Sequence, residues 1–89
     1  MMLWEEIRQR YPHQWLLVEA TKAYSVPGRR IVEELEVVGT YPDGVEAMKR
    51  YGEMHRREPL RELFVIHTDR ETIEIEESIG WLQATRIAS

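Results

Sequence analysis

Four consecutive apolar residues, Leu63-Phe64-Val65-Ile66, stand between a proline at position 59 and a polar turn, Thr68-Asp69-Arg70-Glu71. An apolar run this short, with no polar residue alternating through it, is the pattern of a strand buried on both faces or placed centrally in a sheet. The other elements have to supply its neighbours and its cover. With 89 residues in all, they form a single domain over 1–89, close to the size at which one core is only marginally sufficient.

Those elements can be read in order. Leu3, Trp4, Ile7 and Tyr11 recur at helical spacing with charged and amide residues between them, and Pro12 ends the helix. Residues 14–25, QWLLVEATKAYS, alternate as a first strand, with Leu16, Val18, Ala20 and Tyr24 on one parity and Trp15, Glu19, Thr21 and Ser25 on the other. Pro27-Gly28 suits the centre of a type II turn. Such a turn twists against the strands it joins, which predicts a slightly longer loop or a bulge. A second strand over 30–41 places Ile31, Leu35, Val37 and Tyr41 at odd positions, interrupted by Glu33, and turns Glu34 and Glu36 towards water.

Asp43 is a natural N-cap for the main helix, which Pro59 closes. Val45, Met48, Gly52 and His55 form its apolar seam, flanked by Ala47, Tyr51 and Met54. Gly52 weakens the helix by up to about 1 kcal/mol relative to alanine, so close approach to the sheet is its expected purpose. After the apolar run, Thr72-Ile73-Glu74-Ile75-Glu76 alternates as a last strand. The expected fold is α+β, a two-layer sandwich in the order α-β-β-α-β-β. Its sheet has four strands, antiparallel or mixed, with the helices on one face. Residues 78–89 are a docked tail or an interface segment.

Composition removes several function classes. There is no cysteine, hence no disulfide framework, thiol nucleophile or thiolate zinc site. Glu5 and Glu6 stand where a secretory signal needs an apolar core, and no apolar run approaches a membrane span, so a cytoplasmic address is expected. Sixteen acidic residues against twelve basic ones, a formal charge of −4, argue against a broad nucleic-acid surface; Arg29, Arg30, Arg56 and Arg57 are its only clusters. Ten arginines and fourteen glutamates suit paired carboxylate–guanidinium contacts instead.

Residues 61–77, RELFVIHTDRETIEIEE, hold the densest chemistry. Read as a strand pair, they bring His67 and Asp69 towards Glu74 and Glu76 on the facing strand, one imidazole and several carboxylates within reach of a metal. The plainer reading makes His67 a strand end, Asp69 a turn former and the glutamates a solvent face, and this one is adopted. His55, on the apolar side of the main helix, is a general base near Tyr24 or Tyr41 in one reading and a satisfied, half-buried histidine in the other. Ser25, Ser78 and Ser89 lack any nucleophile-elbow context. No cofactor and no metal are expected. Trp4 and Trp15 read as core, whereas Trp81, beside Ile79 and Leu82 outside any periodic element, reads either as part of a docked tail or as an interface anchor.

The segments WEEIRQRYPHQWLLVEA, GTYPDGVEAMKRYGEMHRREP and RELFVIHTDRET resemble a family of small bacterial proteins of unknown function, a likeness covering nearly the whole chain up to Glu77. The resemblance implies a gene beside that of a retropepsin-like aspartic protease, and so an aspartic protease as a partner. The protease itself is not this chain: its Asp-Thr/Ser-Gly triplet is absent, the two aspartates reading Asp43-Gly44-Val45 and Asp69-Arg70-Glu71. YPHQWLLVEA through FVIH is also similar to the short DUF5678 domain, although here the first hairpin is longer and a further strand follows. Neither resemblance brings catalytic residues. The expected function is a non-enzymatic module that binds another protein or itself, a homodimer included, through Ile79, Trp81 and Leu82. The rival is a small enzyme or metal-binding protein using His55, His67 and Asp69.

Overall fold

The computed structural model describes residues 2–76 and 87–88. They form helix α1 (Trp4–Arg10), strands β1 (Trp15–Val26) and β2 (Arg29–Tyr41), helix α2 (Gly44–Arg57), and strands β3 (Leu63–His67), β4 (Glu74–Glu76) and β5 (Ile87–Ala88). The class is α+β. The body of the sheet is the antiparallel trio β2-β1-β3; β4 adds three residues to the outer edge of β2, and β5 adds two, in parallel, to β3. No helix among the described residues is long and apolar enough to cross a membrane.

Side-chain alternation along β1 and β3 sends Leu16, Val18, Phe64 and Ile66 to one face, where they meet Trp4 and Ile7 of α1 together with Val32, Leu35 and Ile73. Leu17, Leu63 and Val65 point to the other face and meet Ala47, Tyr51 and Met54 of α2. The two helices therefore lie on opposite faces, not on one as the sequence pattern suggested. The physical reason is in the strands: Leu16-Leu17-Val18 and the four-residue run of β3 have no polar side, so both faces need cover.

The β1–β2 ribbon is irregular, with register shifts between Leu17 and Val18, between Ala20 and Lys22, and between Lys22 and Ala23. Each extra residue reverses the parity that faces the core. Val32 and Leu35 consequently join the α1-side core, while Val38 and Tyr41 pack on the α2 side, so the odd-position stripe of β2 does not map onto one face. The turn itself is tight, with Val26 opposite Arg29 and Gly28 at φ 79°. The predicted longer loop is absent. Bulges within the arms absorb the twist instead.

Helix α2 begins as expected, with Asp43 accepting from the Glu46 N–H at 2.9 Å. Its buried stripe is Ala47, Tyr51 and Met54, rotated from the predicted seam, which leaves Val45 66% exposed. Gly52 makes no close approach to the sheet, since a Cβ there would meet only the Arg56 side chain at 3.5 Å.

The predicted β3–β4 hairpin does not form. After β3 the chain crosses on the α1 side to the far edge of the sheet, so that β1 and β2 separate β3 from β4. The crossing is fastened by Trp4 Nε1 donating to the Arg70 carbonyl at 2.9 Å, by Arg8 Nε donating to the Thr68 carbonyl at 3.0 Å, and by burial of Ile73.

Two guanidinium forks hold the α2–β3 loop to the ribbon. Arg61 reaches Glu19 through Nε at 3.1 Å and a terminal nitrogen at 2.6 Å, and also Glu58 at 2.8 Å. Arg30 donates twice to Glu62, both at 2.8 Å, and once to Ser25 Oγ at 3.1 Å. The hydrogen bonds from Arg61 hold the Glu19 carboxyl below the usual carboxylate range; burial opposes this, and the positive charge of Arg61 adds to it.

Two outcomes follow. Leu16→Ala and Leu17→Ala each cost about 2–5 kcal/mol in urea denaturation, because each side chain fills a separate core. A Leu17→Ala cost within about 0.5 kcal/mol, the behaviour of a surface site, would contradict two-sided cover. For Glu19, a depressed folded pKa gives stability that is complete above the unfolded carboxylate value, ~4.3, and is lost as pH falls through the folded value. The stability gap between the wild type and Glu19→Gln, about 1 kcal/mol, is therefore flat near neutrality and narrows in acid. A gap unchanged between neutral and strongly acidic pH would contradict the fork.

Candidate functional site

Pro12 stops α1 two residues before β1 must begin, and the chain makes the turn with His13 at φ 53°, a value uncommon for a residue with a side chain. Gln14 then locks to Thr68: its N–H donates to Thr68 Oγ1 at 2.9 Å, and its carbonyl accepts from the Thr68 N–H at 2.9 Å. Thr68 is buried. The start of β1, the end of β2 and the end of β3 thus meet in one row, with Trp15 opposite Tyr41 on one side and opposite His67 on the other.

Trp15 divides this end of the sheet into two hollows. On one side its indole lies over the first residue of α2, where a Cβ on Gly44 would stand 3.3 Å from the ring, a tight contact that would ask the indole to give by a few tenths of an ångström. The hollow beyond, about 560 Å³, is lined by Gly44, Val45, Met48, Lys49 and Val65 as well as Trp15. On the other side a cleft of about 530 Å³ is lined by His13, Gln14, Trp15, Thr40, Tyr41, Pro42 and His67. His67 stands edge-on to Trp15, ring centres 5.1 Å apart and planes at 81°.

Asp69 joins the two histidines. Its Oδ1 lies 2.6 Å from His13 Nδ1, and its backbone N–H donates to His67 Nδ1 at 3.0 Å. The other carboxylate oxygen is 3.7 Å from His67 Nδ1, beyond hydrogen-bond distance, and that nitrogen already serves as an acceptor.

Of the residues singled out in the sequence, His67 and Asp69 are neighbours, but His55 is not with them. It stacks on Tyr51, centres 5.5 Å apart and planes at 6°, near the far end of α2. The eleven residue steps from Gly44 to His55 span about 16 Å of helix. Tyr24 is exposed on the ribbon. Glu74 and Glu76 sit opposite Ile31 and Arg29 at the other edge of the sheet, so the proposed imidazole–carboxylate cluster is not assembled. Among the described residues no three His, Asp or Glu side chains are placed to hold a metal ion. Arg30 is taken up by Glu62 and Ser25, and Arg56 lines a groove with Glu46 and Glu53, a surface of mixed charge. Ile79, Trp81 and Leu82 lie outside the described residues.

His13, Gln14 and Thr68 were missed in the sequence. The available signal was a histidine directly after a helix-breaking proline and directly before a strand. Its partner Asp69 is 56 positions away, and no local pattern reports that. The chain matches no protein-family model, no curated protein and no solved structure. The resemblances drawn above rest on the quoted segments alone.

The Gln14–Thr68 pair sets the position of both histidine-bearing segments. Thr68→Val, which keeps the shape and removes the acceptor, costs about 1–3 kcal/mol in denaturant titration, and Thr68→Ser recovers most of it. Equal stability of the valine and serine variants would show that this hydrogen bond does not anchor the site.

Proposed function

We propose that this chain is a non-enzymatic protein-interaction module whose contact surface is the apolar hollow beside Trp15. The supporting observation is the rotation of α2: its buried stripe turns Val45 outward, next to Met48, Trp15 and Val65. Tryptophan and methionine are enriched in interface cores, and a Trp-centred hollow on a braced strand end has little to reorganise on binding. Ile79, Trp81 and Leu82 belong to the same proposal as a second contact. The occupant is another protein in an accessory role or a second copy of the chain, in a cytoplasmic setting. The resemblance makes a retropepsin-like aspartic protease the first partner to test.

The rival enzyme reading draws support from one contact, the short Asp69–His13 pair, in which a carboxylate orients an imidazole. His55 has no part in it, since it stacks on Tyr51, and Ser25 accepts from Arg30.

Val45→Glu separates the readings. A glutamate in the first turn of a helix favours the helix dipole, so the melting temperature is kept or slightly raised. The expected outcome is a wild-type chain that forms a stoichiometric complex with the protease, or a dimer in light scattering, and a Val45→Glu chain that is folded and does neither. A monomeric wild type that leaves the protease unbound, or a complex indifferent to Val45→Glu and Met48→Glu, would overturn the proposal.

A further inference from the structure

Beyond Leu35, the outer edge of β2 is taken up by no strand among the described residues. Leu35 itself exchanges two backbone hydrogen bonds with Met2 on that side, both at 2.8 Å, so the edge already accepts an extended backbone. On β1, Gln14 and Ala20 bond towards β3. The alternation of an antiparallel ladder therefore turns Leu16 and Val18 the same way, and Trp15, Leu17 and Glu19 towards β2. Their partners Tyr41, Gly39 and Glu36 are committed inward, while Val37 and Thr40, opposite Val18 and Leu16, present N–H and C=O to the outer edge.

This stretch lacks the usual protection of an edge. Residues 37–41, Val-Val-Gly-Thr-Tyr, carry no charge, whereas residues 29–36 hold two arginines and three glutamates. Edge strands are ordinarily blunted by charge, proline or cover, so an uncharged open edge is a surface suited to pairing.

The edge also borders a groove. A Cβ on Gly39 would stand 2.8 Å from the Tyr41 hydroxyl, so the Tyr41 ring lies over the strand, and it lines a groove of about 560 Å³ with the outer side of α2. There the Arg56 guanidinium lies back along the helix, one terminal nitrogen 3.5 Å from where a Gly52 Cβ would be. Both carboxylates of the groove are engaged, Glu46 with Lys49 at 3.3 Å and Glu53 with Arg50 at 3.8 Å. Arg56 has no ion pair among the described residues, which leaves the groove with a positive charge in excess.

We propose that the open edge of β2 binds an extended segment of another protein by strand addition, with a carboxylate side chain of that segment paired to Arg56. A strand laid about 4.8 Å beyond β2 turns alternate side chains to the α2 face, where the groove receives them. Backbone bonds to Val37 and Thr40 hold the segment, and the guanidinium fork selects an acidic residue on it. A second copy of residues 37–41 is a poorer occupant, since that run brings no carboxylate. The inference does not rest on the hollow beside Trp15, which Val45 lines and this groove does not share.

The test uses the full chain and a synthetic probe, acetyl-Thr-Val-Glu-Val-Thr-amide, followed by amide and guanidinium NMR shifts. Saturable shifts are expected at Val37, Val38, Thr40 and Arg56 Nε. The peptide with glutamine in place of glutamate binds about fivefold more weakly, and Arg56→Gln removes that difference. N-methylation of one alternate set of peptide residues abolishes binding while methylation of the other set is tolerated, the signature of strand pairing. Thr40→Pro, which removes an outward N–H and leaves the bonds to β1 intact, also abolishes it, and Val45→Glu leaves it unchanged. No saturable shift, equal binding of the glutamine peptide, equal sensitivity to both methylation patterns, or loss of binding in Val45→Glu would each overturn the proposal. So would a wild-type dimer that Thr40→Pro dissolves, because the occupant would then be a second copy.

Discussion

The fold depends on five residue pairs between β1 and β3, running from Trp15 opposite His67 to Glu19 opposite Leu63. Between those ends, Leu16, Leu17 and Val18 face Ile66, Val65 and Phe64, and all six side chains are fully buried. At about 1.5–3 kcal/mol for each large apolar side chain removed from water, this small block carries much of the driving force of so short a chain. It also dictates the layering. Strands that are apolar on both sides need a helix on each face, so α1 and α2 are separated by the sheet and each closes its own core.

Both faces of the central strands are thereby covered, and the outer edges are partly occupied by β4, by β5 and by a two-way hydrogen-bonded bridge between Met2 and Leu35. Among the described residues, the end of the sheet where Trp15 separates an apolar hollow from a polar cleft is open. The forks from Arg30 and Arg61 fasten the loop after α2 to the ribbon, so these two guanidinium groups brace the fold.

Much of this was legible in the sequence, because much of it is local. Pro12 stops α1, Asp43 caps α2, and the unbroken apolar run of β3 read as a strand buried on both faces or central in the sheet, although the helices were expected on one face. The parts that were not legible depend on contacts distant along the chain. Bulges at Glu33 and Val38 reverse parity without any marker in composition, and so the face of β2 was misread. The rotation of α2 follows from its fit against Leu17 and Leu63, which its own periodicity could not supply. Asp69 looked like a turn former for a hairpin, yet the chain crosses the sheet after it, because Trp4 and Arg8 offer donors to its neighbours' carbonyls and Ile73 finds a place in the α1-side core. The candidate site is a consequence of that crossing and of the left-handed turn at His13.

The most direct measurement is native-state amide hydrogen exchange. If the β1–β3 block is the element on which both cores depend, the amides of Leu16, Leu17, Val18, Phe64, Val65 and Ile66 exchange only through global unfolding. Those at the far end of the ribbon, from Lys22 to Ser25, then open at lower free energy. Protection greatest in the ribbon tip, or local opening of β3 well below the global value, would contradict the account.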